Sequence, residues 1–267
     1  MTWLWLNDGL VSADAACIAP GDRGLTLGDG VFETMRVAQG RIGHLARHLD
    51  RLRQGAEILM FPQPDLDRIE DVLRRVVRHN DMMDGSLRLT LTRGCGPRGV
   101  MPPVQPSPTL LVTAAPPPSA PLPPANMIVS TQVRRDEASP LSRIKSLNYL
   151  PNVLARLEAA RQGGDEALML NLAGRVAEAS ASTIVIHRQG RLVTPPVAEG
   201  ALPGIARAVL LAAGMLDEAP LDLDDLRHAE GVFLTSSLSV REVASLDGVA
   251  LARMAGMADA IRACVYA

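Results

Sequence analysis

The stretch Arg143-Ile144-Lys145-Ser146-Leu147-Asn148-Tyr149 marks a change of pattern in this 267-residue chain. Upstream, Met127 to Val133 reads as a strand; downstream, Asn148 to Gln162 has helical periodicity. Apolar runs at Ala167 to Leu172, Thr183 to His187 and Arg191 to Thr194 then read as strands. A helix is expected to start near Gly204, and Gly231-Val232-Phe233-Leu234-Thr235 reads as a short strand ending in a hydroxyl. Strands and helices mix without a strict strand-helix-strand rhythm, so the expectation is α+β and not a doubly wound parallel sheet.

Upstream of this half, prolines crowd between Met101 and Pro124, above all in Ala115-Pro116-Pro117-Pro118-Ser119-Ala120-Pro121-Leu122-Pro123-Pro124. Proline can neither donate a ladder hydrogen bond nor continue a helix, so this run reads as a stiff linker. The division is therefore a smaller α+β domain at 1–115, a linker at 116–124 and a larger domain at 125–267. In the first domain, Trp3 to Leu6, Val31 to Val37, Ser86 to Thr92 and Thr109 to Thr113 read as strands. His44 to Met60, with Leu45, Leu49, Leu52, Ala56 and Leu59 at helical spacing, and Asp67 to His79 read as helices.

Composition narrows the function. A chain that is 47% hydrophobic can bury a large core, and a net charge of -2 gives no footprint for nucleic acid or an anionic membrane. Cys17, Cys95 and Cys264 form no CxxC pair, which suggests neither a disulfide framework nor a zinc site and fits a reducing cytoplasm. With no basic and apolar leader and no apolar run of about 18 residues, a soluble, cytoplasmic protein acting on a small molecule is expected.

Several motifs fall away on inspection. Gly94-Cys95-Gly96-Pro97-Arg98-Gly99 satisfies GxGxxG, but Pro102 and Pro103 follow where a dinucleotide fingerprint needs a helix. It reads as a loop after a strand, with Arg93 and Arg98 available to meet an anion. His44 and His48 lie four apart, but the segment lacks the glutamate of a zinc hydrolase and a third ligand, so no metal is expected. Neither a GxSxG elbow nor a GxxxxGK[ST] loop occurs.

What remains suits pyridoxal 5'-phosphate (PLP). That cofactor needs a lysine to hold it covalently, a carboxylate to keep the ring nitrogen protonated, and a phosphate cradle of backbone N–H groups, hydroxyls and an arginine. Lys145 is the candidate amine, and Glu178, 33 residues later in Gly174-Arg175-Val176-Ala177-Glu178-Ala179-Ser180, is the candidate carboxylate. Leu202-Pro203-Gly204-Ile205-Ala206 offers the helix start, Thr235, Ser236 and Ser237 the hydroxyls and Arg51 the guanidinium.

In collinear order, Asp22-Arg23-Gly24-Leu25-Thr26-Leu27-Gly28-Asp29-Gly30-Val31-Phe32-Glu33-Thr34-Met35-Arg36, His48-Leu49-Asp50-Arg51-Leu52, Lys145-Ser146-Leu147-Asn148, Glu178-Ala179-Ser180, Leu202-Pro203-Gly204-Ile205 and Thr235-Ser236 resemble the class IV aminotransferases, the fold-type IV PLP enzymes. The family includes D-amino-acid transaminases, branched-chain aminotransferases and 4-amino-4-deoxychorismate lyases. The resemblance implies a two-domain α+β fold like that of the D-amino-acid aminotransferases, with PLP at the domain interface and usually a homodimer. Lys145 is then the Schiff-base lysine and proton carrier, and Glu178 the partner of the ring nitrogen. Arg51, Gly204, Ile205, Ala206, Thr235 and Ser236 surround the phosphate. Thr183 stands where relatives usually have asparagine, and Ala206 where they often have a hydroxyl.

Residue identity at the substrate positions favours the lyase. Phe32 replaces the tyrosine of D-amino-acid transaminases, and Arg98-Gly99-Val100 lacks their histidine. Phe32-Glu33-Thr34 differs from the branched-chain FEG, and a threonine there resembles the lyases, as does Arg98 in its loop, although Val100 replaces a tyrosine. Thr34 is accordingly a second catalytic candidate, and Phe32, Arg98 and Val100 are the substrate candidates. The expected reaction is release of pyruvate and 4-aminobenzoate from 4-amino-4-deoxychorismate, a step of folate biosynthesis. The alternatives are amino transfer between a D- or branched-chain amino acid and an α-keto acid, and PLP binding without turnover.

Overall fold

A computed structural model describes residues 2–267, and the chain divides into two compact α+β units. Unit 1 comprises 1–119 together with Ile144–Asn148; unit 2 comprises 120–143 and 149–267.

Unit 1 contains β1 (Trp3–Leu6), β2 (Gly9–Ser12), α1 (Arg23–Leu27), β3 (Gly30–Ala38), β4 (Arg41–Ile42), α2 (Leu45–Ile58), α3 (Leu66–His79), β5 (Gly85–Thr92) and β6 (Thr109–Ala115). Its six strands form one sheet in the order β2-β1-β6-β5-β3-β4, and the pairs that border one another are antiparallel. Alternation along β3 and β5 sends Val31, Met35, Val37, Leu87, Leu89 and Leu91 to one face. There they meet Leu49, Leu52 and Ala56 of α2 and Ile69, Val72, Leu73 and Val76 of α3. The helices cover one side of the sheet only, so Phe32, Thr34, Arg36 and Arg88 stand on the other.

Unit 2 contains β7 (Ala125–Arg135), α4 (Leu150–Arg161), β8 (Glu166–Asn171), β9 (Val176–Ala179), β10 (Thr183–Arg188), β11 (Arg191–Thr194), α5 (Ile205–Ala212), β12 (Leu216–Glu218), α6 (Leu223–Arg227), β13 (Gly231–Thr235), β14 (Val240–Leu246), β15 (Val249–Ala250) and α7 (Met257–Val265). The sheet runs β12-β11-β10-β13-β14-β7-β8-β9, with β15 pairing off β14. Strands β8, β9 and β13 are covered on both sides: every residue of each is buried. One face packs on Leu221 and Leu226, and the other on α5 and α7 through Val185, Phe233, Leu210, Ile261 and Val265.

One segment departs from the sequence expectation. Lys145 was expected at a strand end within 125–267; residues 144–148 instead belong to unit 1. Ile144 is buried in the unit 1 core, and the backbone beyond it lies along β3. Phe32 N–H donates to the Lys145 carbonyl at 2.9 Å, and Leu147 N–H to the Gly30 carbonyl at 2.9 Å. The pairing is a single bridge, Val31 to Ser146, which carries no alternation for a sequence reading to detect.

Candidate active site

The two units each hold part of the expected cofactor and substrate residues. In unit 1, the backbone bonds just described place Lys145 beside β3 on the side away from the core. Its Nζ lies 4.4 Å from the centroid of the Phe32 ring. The Arg88 guanidinium carbon lies 3.8 Å from the same centroid. The register accounts for this: Phe32 is opposite Thr90 and Thr34 is opposite Arg88, and directly opposed residues project to the same face. Arg36, two residues beyond Thr34, shares that face. Lys145 and Arg88 thus both lie against the Phe32 ring, and Thr34 and Arg36 project from the same sheet face, a surface suited to an anionic substrate. Sequence reading found Phe32 and Thr34 but missed Arg36 and Arg88. Period-two counting from Thr34 along β3, and across to β5, was the signal that would have found them.

The intervening residue Glu33 points into the core, where an unpaired carboxylate is costly. It accepts from Arg51 Nε at 2.7 Å and Nη2 at 2.6 Å, and its Oε2 lies 2.6 Å from His48 Nδ1. Burial would raise its pKa, but the charge and hydrogen bonds of Arg51, with the hydrogen bond of His48, outweigh that and hold it below the ordinary value. Burial pushes His48 the other way, below its ordinary value despite Glu33. Arg51 is thus a buried residue clamped in a fixed plane, and not a solvated one on a wet helix face.

Arg93 does not present itself to an anion as expected. It is buried over the Phe61 ring at 4.2 Å, with Nε on Asp29 at 2.8 Å and Nη2 on the Leu59 carbonyl at 2.7 Å. Arg98 and Val100 do lie on an exposed loop.

In unit 2, Glu178 sits on β9, buried. Its Oε1 is 3.0 Å from Arg135 Nε and its Oε2 accepts the Leu202 N–H at 3.0 Å. Both oxygens are thereby fixed in direction. Arg135, at the end of β7, is a partner no motif announced.

Within unit 2, Thr183, Gly204 and Thr235 are brought together. Thr183 and Thr235 are register partners on β10 and β13, and Gly204 lies against Thr183: a Cβ on Gly204 would be 2.7 Å from Thr183 Oγ1. Gly204 is the N-cap of α5 and carries no side-chain cap, so the first N–H groups of the helix, at Ile205 and Ala206, lack the usual partner. Thr235 Oγ1 is buried with no hydrogen-bond partner, a rare and costly condition that an anionic ligand would relieve. An orphaned hydroxyl and an uncapped helix start, with glycine letting that start approach Thr183 closely, fit a phosphate. Ser236 is different: its N–H donates to the Ser239 carbonyl, and its hydroxyl oxygen accepts from the Leu238 and Ser239 N–H groups at 3.2 and 3.0 Å. That hydroxyl closes its own turn.

Among the described residues, no group of three or more His, Cys, Asp or Glu could hold a metal ion, and no helix is long and apolar enough to cross a membrane.

Known proteins resemble this chain over nearly its whole length. A putative branched-chain-amino-acid aminotransferase of Methanocaldococcus jannaschii is 35% identical over 92% of this chain and 88% of its own length. A hypothetical aminotransferase from Mycobacterium tuberculosis, solved with α-ketoglutarate and pyridoxamine phosphate (PMP), superposes with a TM-score of 0.88 at 28% identity, covering 99% of each chain. A putative 4-amino-4-deoxychorismate lyase from Legionella pneumophila gives a TM-score of 0.86 at 29% identity, covering 94% of each chain. Residues 30–246 match amino-transferase class IV, so this chain belongs to that family of fold-type IV enzymes, whose cofactor is pyridoxal phosphate.

Proposed function

We propose that this protein is a PLP-dependent transaminase that passes amino groups to and from a dicarboxylic 2-oxo acid. The observation that carries this reading is the array of Arg36, Thr34 and Arg88 on the sheet face that also bears Phe32 and Lys145. One guanidinium suffices for an amino acid's own carboxylate; a second, displaced along the sheet, suits a second carboxylate. The M. jannaschii and M. tuberculosis proteins, named as aminotransferases, support the same reading.

When bound, PLP supplies the ring that accepts electrons from the substrate carbon. The protein's residues then have separable tasks. Lys145 Nζ carries a proton to and from that carbon. Glu178, aimed by Arg135 and the Leu202 N–H, holds a proton at the ring nitrogen. The Thr235 hydroxyl and the N–H groups of Ile205 and Ala206 would hold the phosphate, and Arg51, oriented by Glu33, would be the guanidinium that meets it. Arg88 and Arg36 orient substrate carboxylates, and Phe32 keeps water from the Lys145 amine.

Thr34, the exposed Arg98 and the Legionella neighbour favour the second reading, the 4-amino-4-deoxychorismate lyase that residue identity first suggested. One experiment separates them. The transaminase requires a keto acid for sustained turnover and returns glutamate from 2-oxoglutarate; the lyase releases pyruvate from aminodeoxychorismate with no keto acid present.

The same reading includes a homodimer. On α4 the usual burial is inverted: Asn152, Ala155, Glu158 and Ala159 are buried, while Leu150, Val153, Leu154 and Leu157 are exposed at helical spacing. A second copy is the natural cover for such a stripe.

A further inference from the structure

We propose that Arg23 is a positioning residue for substrate selection: its guanidinium fixes the loop of residues 94–107, which carries Arg98, Val100 and Met101. The proposal rests on the reading that this loop meets substrate.

Arg23, the first residue of α1, is 4% exposed. Its Nη1 donates to the carbonyls of Gly99 at 3.1 Å and Met101 at 3.4 Å, and its Nη2 to that of Val100 at 2.8 Å. Its Nε is held by Asp29 Oδ2 at 2.8 Å, the oxygen that also accepts from Arg93 Nε at 2.8 Å. Burial would raise the Asp29 pKa, but the two arginines outweigh it and hold the carboxyl below its ordinary value, so it stays ionised between them. Arg93 in turn is anchored on the Leu59 carbonyl. A continuous set of charge-assisted bonds therefore runs from the crown of the loop to the end of α2.

The neck of the loop is fixed separately. Asp22 Oδ2 accepts from Thr92 Oγ1 at 2.9 Å and Thr109 Oγ1 at 2.7 Å, joining the end of β5 to the start of β6.

The glycine pattern that failed as a dinucleotide motif finds its purpose here. A Cβ on Gly96 would lie 2.9 Å from Arg23 Cδ, so glycine lets the arginine stem pass beneath the loop. Gly94 has φ +78°, and a Cβ there would overlap the Ser107 carbonyl at the neck.

With three successive carbonyls turned toward Arg23, the side chains are turned outward. Val100 is 86% and Met101 77% exposed, next to the exposed Arg98. Apolar side chains held rigidly in this way discriminate among substrate side chains, and a loosened loop would do so less well.

The test uses the PLP-loaded enzyme and its Arg23→Gln and Arg23→Lys variants. Lysine keeps the charge beside Asp29 but cannot span three carbonyls. Amide hydrogen exchange over 96–104 and tryptic cleavage after Arg98 should both accelerate by about tenfold or more. The amino-substrate KM should rise about tenfold, with kcat within about threefold of wild type and PLP affinity unchanged. Should Arg23→Gln fail to fold, Arg23→Lys and Gly96→Ala, which disturbs the same contact from the loop, carry the test. Unchanged exchange and cleavage in the folded variants would overturn the clamp. A loosened loop with unchanged KM would overturn its role in selection while leaving the transaminase reading intact. If wild type instead releases pyruvate without a keto acid, the transaminase reading fails and the KM comparison is made on that reaction.

Discussion

Thr235 shows most sharply how one residue separates stability from function. Its buried hydroxyl has no partner, so Thr235→Val removes an unsatisfied donor at nearly constant volume. The apoprotein should unfold at the same denaturant concentration as wild type or a slightly higher one, while PLP affinity falls by roughly 10- to 150-fold, the worth of about 1.5–3 kcal/mol in one hydrogen bond to a charged group. Denaturant titration of apoprotein and cofactor titration check the two halves; a destabilised apoprotein would mean that the hydroxyl serves the fold. Arg88 makes the complementary case. Arg88→Met removes the guanidinium that lies over Phe32 and leaves an unbranched apolar side chain in its place. The KM for 2-oxoglutarate should rise about 10- to 100-fold with much less change for a monocarboxylic keto acid, as steady-state kinetics with both acceptors would show.

Elements were legible in the sequence where a periodicity had room to repeat. Helices α2 and α3 and strands β3, β5 and β6 emerge within a few residues of their expected limits, because each buries one face against a single core. Four-residue β9, which carries Glu178, is too short and too evenly buried to show alternation. The Lys145 segment is fixed by long-range backbone bonds to β3 that no local pattern encodes. The lysine, the glutamate and the phosphate residues are candidates by residue type and spacing alone, whereas Arg36 and Arg88 emerge only from the strand register and Arg135 only from its ion pair with Glu178.

At the same scale, Glu158 on α4 secures the irregular middle of β7, where the register with β8 shifts between Val129 and Arg134. Its carboxylate accepts from the hydroxyls of Ser130 and Thr131, both at 2.6 Å, and from the Thr131 N–H at 2.9 Å. Burial opposes ionisation, but these hydrogen bonds prevail and lower its pKa from 4.5 to about 2. A depressed carboxyl contributes stability above its ordinary value and loses it as pH falls from about 4.5 toward 2. Wild type should therefore lose more stability than Glu158→Gln between neutral pH and about pH 3, measured as the change in urea midpoint. Equal losses would show that this carboxylate is not depressed in the folded state.

For the molecule as a whole, the inverted burial of α4 sets an expectation about assembly. Four exposed apolar side chains along one helix are more than scattered surface hydrophobics, since the opposite face is already packed. Wild type should sediment as a dimer, and Leu154→Glu with Leu157→Glu should shift it to a monomer, because each buried charge would oppose association. An unchanged sedimentation coefficient in the double variant would place the interface elsewhere.

Amino transfer to a dicarboxylic 2-oxo acid is tested by product analysis of the purified PLP-loaded enzyme given an amino donor and 2-oxoglutarate, alongside aminodeoxychorismate alone. A transaminase with an arginine-lined sheet face should give stoichiometric glutamate from the first mixture, abolished in Lys145→Ala, and no pyruvate from the second. Pyruvate and 4-aminobenzoate from aminodeoxychorismate alone, with no glutamate from any donor, would contradict amino transfer and establish the lyase.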